Sequence, residues 1–553
     1  MALRGVARGG YHLNMAARAR ASDLWRQPGR SARTGLRLTA AVGLAAIALY
    51  LPVIAFDLLF DDLSLLGENG PAGSGGLLPY RPLRHLAWLS EYWLVGLLGR
   101  QDLAASVYHL ANLLLFGGVA ATLWCLCRRL GANSLLAFLC CVACLAHPLW
   151  VESVAYVSGA RDLLATLFTL LALLAWSSAD PGQDKPGQAA GAGGLRAGAL
   201  ALLAALAATA SKETGLLVAP LLLLMWASGL GPLRRGALAW IVMVAVASVT
   251  LVVAYGGVGV LPATAGVLLP ASSYSFCVGG TLALHYAAGL LVPLDLSVDY
   301  PALWQPCVGM GAAAWLRAGL GLVLLAALAV SVVLAWRSRK GDIERRQAAF
   351  VVSWIAAAGV ALVFVAGVNE PGADRHSLLL LPPLALGMGL LLQQLVQQPL
   401  RQLPQRGTRQ RAWLPAGRIA ALLLLCCVFL LAGVTLRRQQ DWRSQAALWR
   451  STVAVQPNSP RAHYNLAVVA ADRGRRGLAQ LRLERLLKRW PDYQPALLAR
   501  ARLACAGGAL HRAGHFLERA AGKAAGNTAA DRAATDRAVL AVVKDCPGLA
   551  WPQ

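Results

Sequence analysis

Acidic side chains are scarce in this chain of 553 residues, which has 26 Asp and Glu against 51 Lys and Arg. The four charged residue types together make up only 14% of it, roughly half the share of an average soluble domain. Hydrophobic residues make up 57%, and the mean hydropathy is +0.55. This balance excludes an ordinary soluble globular protein and predicts a membrane protein with many spans.

Metal-site spacing and a signal-peptide cleavage site are also missing. The eleven cysteines show no metal-binding pattern, and those within apolar runs are expected to act as small hydrophobic residues. Cys277 with Cys307, and Cys505 with Cys546, either form disulfides in an oxidising compartment or remain unpaired thiols. No small-residue cleavage site follows the first apolar run, which predicts a retained first span.

Apolar runs long enough to cross a bilayer, roughly 17 to 25 residues, recur as far as residue 434. Together with a weaker hairpin they predict about 11 spans. The runs are 38–56, 103–127, 134–150, 162–178, 237–255, 315–336, 349–367, 377–396 and 418–434, and the hairpin is 196–210 with 215–230. Segment 278–294 is interpreted as a re-entrant or interfacial helix, because a twelfth span would disturb the charge pattern described next.

Basic loops indicate the orientation, because short loops rich in Lys and Arg stay in the cytoplasm. Eight arginines before residue 38, and the basic loops at 128–129, 234–235, 337–346 and 401–418, all fall on one side. The opposite loops carry acids, namely Asp57, Asp61, Asp62, Glu68, Glu152, Asp162, Asp295, Asp299, Glu370 and Asp374. We predict a multi-pass membrane protein with a cytoplasmic N-terminus and a C-terminus in the periplasm or a lumen, and the expected location is a bacterial inner membrane with a periplasmic C-terminus.

After residue 435 the composition becomes that of a soluble domain. Pro457 recurs as Pro491 and Gly474 as Gly508, each after 34 residues, which is the tetratricopeptide period. The expected organisation is therefore a basic cytoplasmic segment over 1–37, a membrane domain over 38–434 and a short, soluble tetratricopeptide-repeat (TPR) α-solenoid over 435–553.

The predicted repeat domain is basic, with 20 Lys and Arg against 8 Asp and Glu over 435–553. Such a surface is either merely solvated or suited to an acidic protein, anionic lipid headgroups or a glycan. A location outside the cytoplasm argues against nucleic acid as a partner.

Seven motifs carry a resemblance to a known family. They are FDD at 60–62, YRPL at 80–83, YHLANLLLF at 108–116, HPLWVESVAYVSGARDLLA at 147–165, SKE at 211–213, VPLDLSVDYP at 292–301 and ADRHSLLLLPP at 373–383. In this order they make the chain similar to the transmembrane and tetratricopeptide-repeat O-mannosyltransferases and their bacterial relatives, within the C-type glycosyltransferase (GT-C) superfamily. The chain departs from that family at His376 and Ser377 and in its short repeat array.

The resemblance implies an all-α polytopic membrane enzyme that takes a mannose-like hexose from a polyprenyl-phosphate carrier. The sugar would pass to a hydroxyl on the outer face, on Ser or Thr of a protein acceptor that the repeats present. Asp61 or Asp62 would orient or deprotonate that hydroxyl. From position alone the two acids are also interpreted as a solvated loop cap, and a further alternative is that they are ligands for a divalent metal such as Mg²⁺ or Mn²⁺.

Guanidinium and ammonium groups hold phosphate oxygens, so cations near the same surface are candidates for binding the donor phosphate. They are Arg81, Arg161, Lys212 and Arg375, with Glu152, Asp162, Glu213 and Asp374 as supporting residues. The adjacent charges at 161–162, 212–213 and 374–375 are equally interpreted as local ion pairs. Arg81 and Arg84 are also interpreted as lipid headgroup contacts.

Three other functions compete with this one. A transporter or lipid flippase would place ionisable residues in mid-membrane, whereas the acids here cluster at loop edges. A membrane-anchored repeat scaffold without catalysis would not need those acids. Within enzymes, the acceptor is alternatively a lipid or a glycan.

The charge pattern makes a testable prediction of topology. A phosphatase reporter that is active only outside the cytoplasm should be active when fused after Thr435 and silent when inserted at Gly341. A silent fusion at Thr435 would overturn the odd number of spans, and with it the periplasmic placement of the repeats.

Overall fold

A computed structural model describes most of the chain. The described residues are 30–60, 62–63, 81–178, 192–231, 236–268, 273–301, 303, 312–365, 373–401, 406–522, 529–547 and 549. They form helices joined by turns and contain no β-strand, which confirms the predicted all-α class. They divide into two compact units, the first comprising residues up to 296 with 303–443, and the second comprising 297–302 with 444–553.

Fourteen helices belong to the described part of the first unit. They are α1 (Arg30–Tyr50), α2 (Pro82–Leu98), α3 (Ala104–Arg129), α4 (Ser134–Leu145), α5 (Val151–Ala155), α6 (Ala160–Ser177), α7 (Ala192–Ser211), α8 (Val218–Ala227), α9 (Ala237–Leu268), α10 (Ser273–Leu291), α11 (Ala312–Ser338), α12 (Ile343–Val365), α13 (Leu381–Arg401) and α14 (Arg406–Asp441). Helix α14 continues past the predicted boundary at 435, so the C-terminal part of the second unit begins at Ser444.

Six helices in the described part are long and apolar enough to cross a membrane. They are Arg33–Ala55, Gln101–Arg129, Val157–Ser177, Gly194–Ser211, Ala237–Ala254 and Ala421–Asp441. A seventh span is added if α4 and the helical turn after it, which are bent by 54° at the break, count as one. The bend has a local cause, because Pro148 has no backbone N–H and cannot continue the helix.

The bundle of the first unit has two distinguishable ends. At one end the last turns of α3 and α6 meet, where the Arg129 guanidinium donates to the Ser177 carbonyl at 2.8 Å. The start of α4 meets α13 at the same end, where the Asn133 amide donates to Gln393 Oε1 at 2.6 Å. The first residues of α6 and α13 therefore lie at the opposite end, where the predicted site residues occur.

Short 3₁₀ turns mark that opposite end. They are Pro148–Trp150, Val157–Gly159, Glu213–Leu217 and Asp374–Leu379. The first three directly precede α5, α6 and α8, and the fourth ends two residues before α13 begins. Such turns leave backbone N–H and C=O groups available that a continuous helix would use in its own hydrogen bonds. Three of the candidate phosphate-binding residues, Arg161, Lys212 and Arg375, lie in one of these turns or within two residues of one.

Two glycines allow the turns to pack closely. A Cβ on Gly215 would lie 2.3 Å from the Thr209 backbone nitrogen, and a Cβ on Gly159 would lie 2.5 Å from the Ser153 carbonyl oxygen. Both distances are far below ordinary contact, so no other residue fits without backbone movement.

The second unit consists of α15 (Gln445–Val455), α16 (Pro460–Asp472), α17 (Arg476–Arg489), α18 (Gln494–Ala506), α19 (Leu510–Gly522) and α20 (Ala529–Lys544). Both α18 and α19 begin 34 residues after α16 and α17, in agreement with the sequence period. The linking glycines, Gly474 and Gly508, share the same φ of 73°. Buried alanines recur at the same spacing, because Ala462 and Ala496 are both fully buried.

A disulfide joins Cys505 to Cys546 in this unit. Cys277 is also disulfide-bonded, and its predicted partner, Cys307, lies outside the described residues. The cysteines with free thiols in the described part are Cys125, Cys127, Cys140, Cys141, Cys144, Cys426 and Cys427, all in apolar helices.

Because Gly215 packs so closely against its neighbours, adding a single methyl group there should destabilise the protein. Gly215→Ala should lower the free energy of unfolding by about 1–3 kcal/mol or more, as overpacked sites do. Gly433→Ala is the matched control, because nothing lies within 4 Å of its Cβ position. Thermal unfolding in lipid nanodiscs should separate the two, and equal unfolding midpoints would contradict the close approach at 215.

Candidate functional site

Asp62 anchors the acidic loop in the protein interior. Only 2% of the residue is exposed, and its carboxylate accepts four hydrogen bonds. The donors are the Leu59 amide at 3.3 Å, the Val157 amide at 3.2 Å, the Ser158 amide at 2.9 Å and the Ser158 hydroxyl at 2.7 Å. Asp62 is therefore not a solvated loop cap, since it ties the loop after α1 to the turn before α6.

Burial raises the pKa of Asp62 to about 6, although the hydrogen bonds from Ser158, Leu59 and Val157 favour the ionised form. Burial therefore opposes ionisation of the carboxyl group, and the hydrogen bonds favour it. Its acceptor sites are already occupied by backbone and hydroxyl donors. Asp61, the other candidate base, lies outside the described residues.

The turn that Asp62 holds is also fixed from two other helices. On α3, the buried Asn112 amide donates to the carbonyl of Tyr156 at 3.0 Å. On α2, Arg84 is 4% exposed and donates to the Val157 carbonyl at 3.0 Å. The alternative interpretation of Arg84 as a headgroup ligand is therefore wrong, because its guanidinium points into the protein and stacks on Trp88 at 4.1 Å.

Backbone strain occurs at this end of the bundle. Phe60 and Arg81 have φ values of 50° and 58°, in the left-handed region. That conformation costs about 1–3 kcal/mol for such residues and persists only where the surroundings enforce it. Phe60 is held by an edge-on contact with Tyr156, whose ring centroid is 5.9 Å away.

The candidate cations form ion pairs between elements that are distant in sequence. Lys212 pairs with Asp162, and the Arg375 guanidinium pairs with Glu152, whose other oxygen accepts from the Arg375 amide at 3.1 Å. The side chains involved are at most 9% exposed. These contacts join α6 to the end of α7, and α5 to the turn before α13.

Arg81 makes a third long-range pair. Its guanidinium donates to both oxygens of Glu213, at 3.1 and 2.8 Å. Lys212 and Glu213 therefore bind different partners and do not pair with each other. The local interpretation holds in part at 161–162, where the Arg161 side chain lies 3.7 Å from Asp162.

The four candidate cations share one electrostatic neighbourhood. Burial lowers the pKa of Lys212 to about 8 against the attraction of Asp162, and the positive charges of Arg161, Arg375 and Arg81 lower it further. The contacts agree with this grouping, because Lys212 and Arg161 both lie against Asp162, and Arg81 pairs with Glu213, the next residue after Lys212. Buried ion pairs add little net stability, because desolvation offsets their attraction, so this concentration of charge marks a candidate functional site.

Arg438 extends the network and was missed by sequence reasoning. It lies at the end of α14, is 6% exposed, and pairs with Asp374 at 3.5 Å and Asp441 at 3.1 Å. A signal was present in the sequence, because Arg437 and Arg438 follow a span on the side predicted to be poor in basic residues.

A small, partly open apolar cleft of about 30 Å³ is lined by residues that follow the candidate cations in sequence. Its walls come from α6, α8, α12 and the turns at 213–217 and 374–379, and include Thr166, Leu221, Trp354 and Leu378. Lining residues start one turn or less after Arg161, Lys212 and Arg375 in sequence.

Among the described residues, no group of three or more His, Cys, Asp or Glu side chains is arranged to hold a metal ion. Comparison of the chain with protein-family models, with curated proteins and with solved structures finds no match. The functional interpretation therefore depends on the residues and on the geometry given above.

The contacts of Asp62 predict that its removal destabilises the protein. Asp62→Asn should lower the free energy of unfolding by about 1–3 kcal/mol, because an amide cannot accept all four donors in a buried site. Asp57→Asn is the control, since Asp57 is exposed. Thermal unfolding in nanodiscs provides the measurement. If both variants unfold at the wild-type temperature, the anchoring role is wrong.

Proposed function

We propose that this chain is a GT-C-type membrane glycosyltransferase. It transfers a mannose-like hexose from a polyprenyl-phosphate donor to a hydroxyl, on Ser or Thr of a protein, at the outer face of the membrane. The observation that carries the proposal is the convergence of Arg81, Arg161 and Arg375 on the buried ammonium group of Lys212, which shares Asp162 with Arg161.

The proposed chemistry needs a cationic site and a carboxylate. The acceptor oxygen attacks the anomeric carbon, the bond from that carbon to the phosphate oxygen breaks, and polyprenyl phosphate leaves. Arginine and lysine stabilise the charge that develops on the phosphate. The acceptor proton passes to a carboxylate. We assign that role to Asp61, because the Asp62 carboxylate already accepts four hydrogen bonds.

The apolar cleft suits the lipid part of the donor. An isoprenoid chain has no polar atoms after its phosphate, so it requires a hydrophobic channel that begins at a cationic site. The cleft is apolar and its lining starts about one turn or less after three candidate cations in sequence. At about 30 Å³ it would have to widen to admit the isoprenoid chain. A water-soluble nucleotide-sugar donor would gain nothing from such a surface.

The proposed topology has eleven spans with the repeats in the periplasm. Disulfides persist in oxidising compartments, and the disulfide-bonded Cys505, Cys546 and Cys277 all lie in segments placed outside by the charge pattern. The 34-residue offset between helix pairs supports tetratricopeptide repeats that present the acceptor. A lipid or glycan acceptor is the alternative.

The rival classes fit the geometry less well. A transporter would carry its charges along a path through the membrane, whereas the pairs described above lie at one end of the bundle. A scaffold without catalysis would gain nothing from the strained Phe60 and Arg81, which lie beside the acidic loop and the cationic cluster.

The proposal predicts transfer by purified protein in nanodiscs supplied with polyprenyl-phosphate sugars and a Ser/Thr-containing acceptor peptide. Asp61→Asn should lower the transfer rate roughly 100- to 10,000-fold, because the amide cannot take the proton. Donor affinity should stay near the wild-type value. Loss of transfer from wild-type protein on chelation, with recovery on adding Mg²⁺ or Mn²⁺, would instead assign the acids to a metal.

Arg375→Gln provides the complementary variant in the same assay. It should weaken donor binding, and Arg375→Lys should restore it only in part, because lysine lacks the planar fork of donors. Asp57→Asn is the control for both positions. Absence of transfer by wild-type protein across a panel of donor sugars and of peptide, lipid and glycan acceptors would refute the proposed function.

A further inference from the structure

The end of α14 carries a row of buried side chains on one face. Thr435, Arg438, Gln439 and Trp442 are at most 6% exposed, whereas Leu436 is 43% exposed. The spacing of three and four residues places Thr435, Arg438 and Gln439 on one side of the helix, and Trp442 is the first residue after the helix ends. This face contacts other elements of the first unit, so the segment does more than lead into the second unit.

Polar contacts tie this face to the ends of two other helices. Thr435 Oγ1 donates to the Ala146 carbonyl at 2.6 Å, just after α4. Gln439 donates to the Leu49 carbonyl at 3.2 Å, in the last turn of α1. The position of α14 is therefore fixed relative to both helices that lead into the candidate site.

Arg438 connects α14 to the donor side of the site. Its guanidinium pairs with Asp374 at 3.5 Å, and Asp374 directly precedes Arg375 in the same 3₁₀ turn. Glu152 holds that turn from the other side through the Arg375 amide and guanidinium. Arg438 and Glu152 together restrict where the Arg375 guanidinium can lie.

Trp442 connects α14 to the acidic side of the site. The Trp442 ring is 1% exposed and lies against Tyr156 with a centroid distance of 6.1 Å. Tyr156 in turn contacts Phe60 edge-on at 5.9 Å. A continuous row of aromatic rings thus runs from α14 to the residue before the two aspartates.

We propose that the end of α14 is a positioning element, in which Arg438 sets the place of the donor-binding Arg375 and Trp442 sets the place of the acidic loop. The two contacts are four residues apart, one in the last turn of α14 and one at the residue that directly follows the helix, so a shift of this segment would move both halves of the site. This inference rests on the proposed function. Arg438 and Trp442 act through Asp374 and Tyr156 and are not assigned contact with substrate.

The experiment separates the two contacts by kinetics. Arg438→Gln should raise the KM for the polyprenyl-phosphate sugar roughly 10- to 100-fold with a smaller change in kcat, as misplaced binding groups do. Trp442→Leu should lower kcat by a similar factor with donor KM less affected. Arg438→Lys should rescue part of the donor KM, because it keeps the charge. A general loss of packing would change KM, kcat and the unfolding midpoint together.

Arg437→Gln is the matched control, because Arg437 has the same charge in the same turn but is exposed. Hydrogen exchange of the free protein gives a readout independent of transfer. Peptides covering 373–379 should exchange at least about ten-fold faster in Arg438→Gln than in Arg437→Gln, since the turn loses an anchor. Equal exchange in the two variants would overturn the positioning role. Failure of the wild type to transfer sugar would refute the proposed function and leave the exchange result to decide this contact.

Discussion

Burial of charge at one end of a hydrophobic bundle is the constraint on which the rest of the first unit depends. Lys212 with Asp162, Arg375 with Glu152, and Arg438 with Asp374 are removed from water. An unpaired charge there would be very costly, so each side chain requires its partner. The partners come from distant parts of the chain, and their pairing determines how five helices meet.

The irregular backbone of this region follows from the same constraint. Helices that continued to the bundle end would keep their amides in their own hydrogen bonds. The 3₁₀ turns free the amides of Val157 and Ser158 for Asp62, and the amide of Arg375 for Glu152. Gly159 and Gly215 then allow these turns to pack without a Cβ in the way. The irregular turns are therefore needed to supply hydrogen bonds to the buried carboxylates of the site.

The two adjacent acids illustrate how neighbours in sequence acquire different roles. Asp62 is enclosed by donors, whereas the catalytic role proposed for Asp61 needs a carboxylate with an open acceptor site. Each of the four candidate cations already contacts a carboxylate of the protein. In the proposed reaction, phosphate oxygens would share or replace those carboxylates as hydrogen-bond acceptors.

The sequence by itself determined the all-α class, the apolar helices and the 34-residue repeat, because hydropathy and period are local properties of the chain. It also named most of the charged residues that the structure brings together, since ionisable groups beside long apolar runs are rarely incidental, but it missed Arg438. Only the tertiary structure decided the partners. Lys212 binds Asp162 and leaves its neighbour Glu213 to Arg81, and Asp62 turns inward to Ser158. Pairing depends on which helix ends meet in space, and no local pattern in the chain records that.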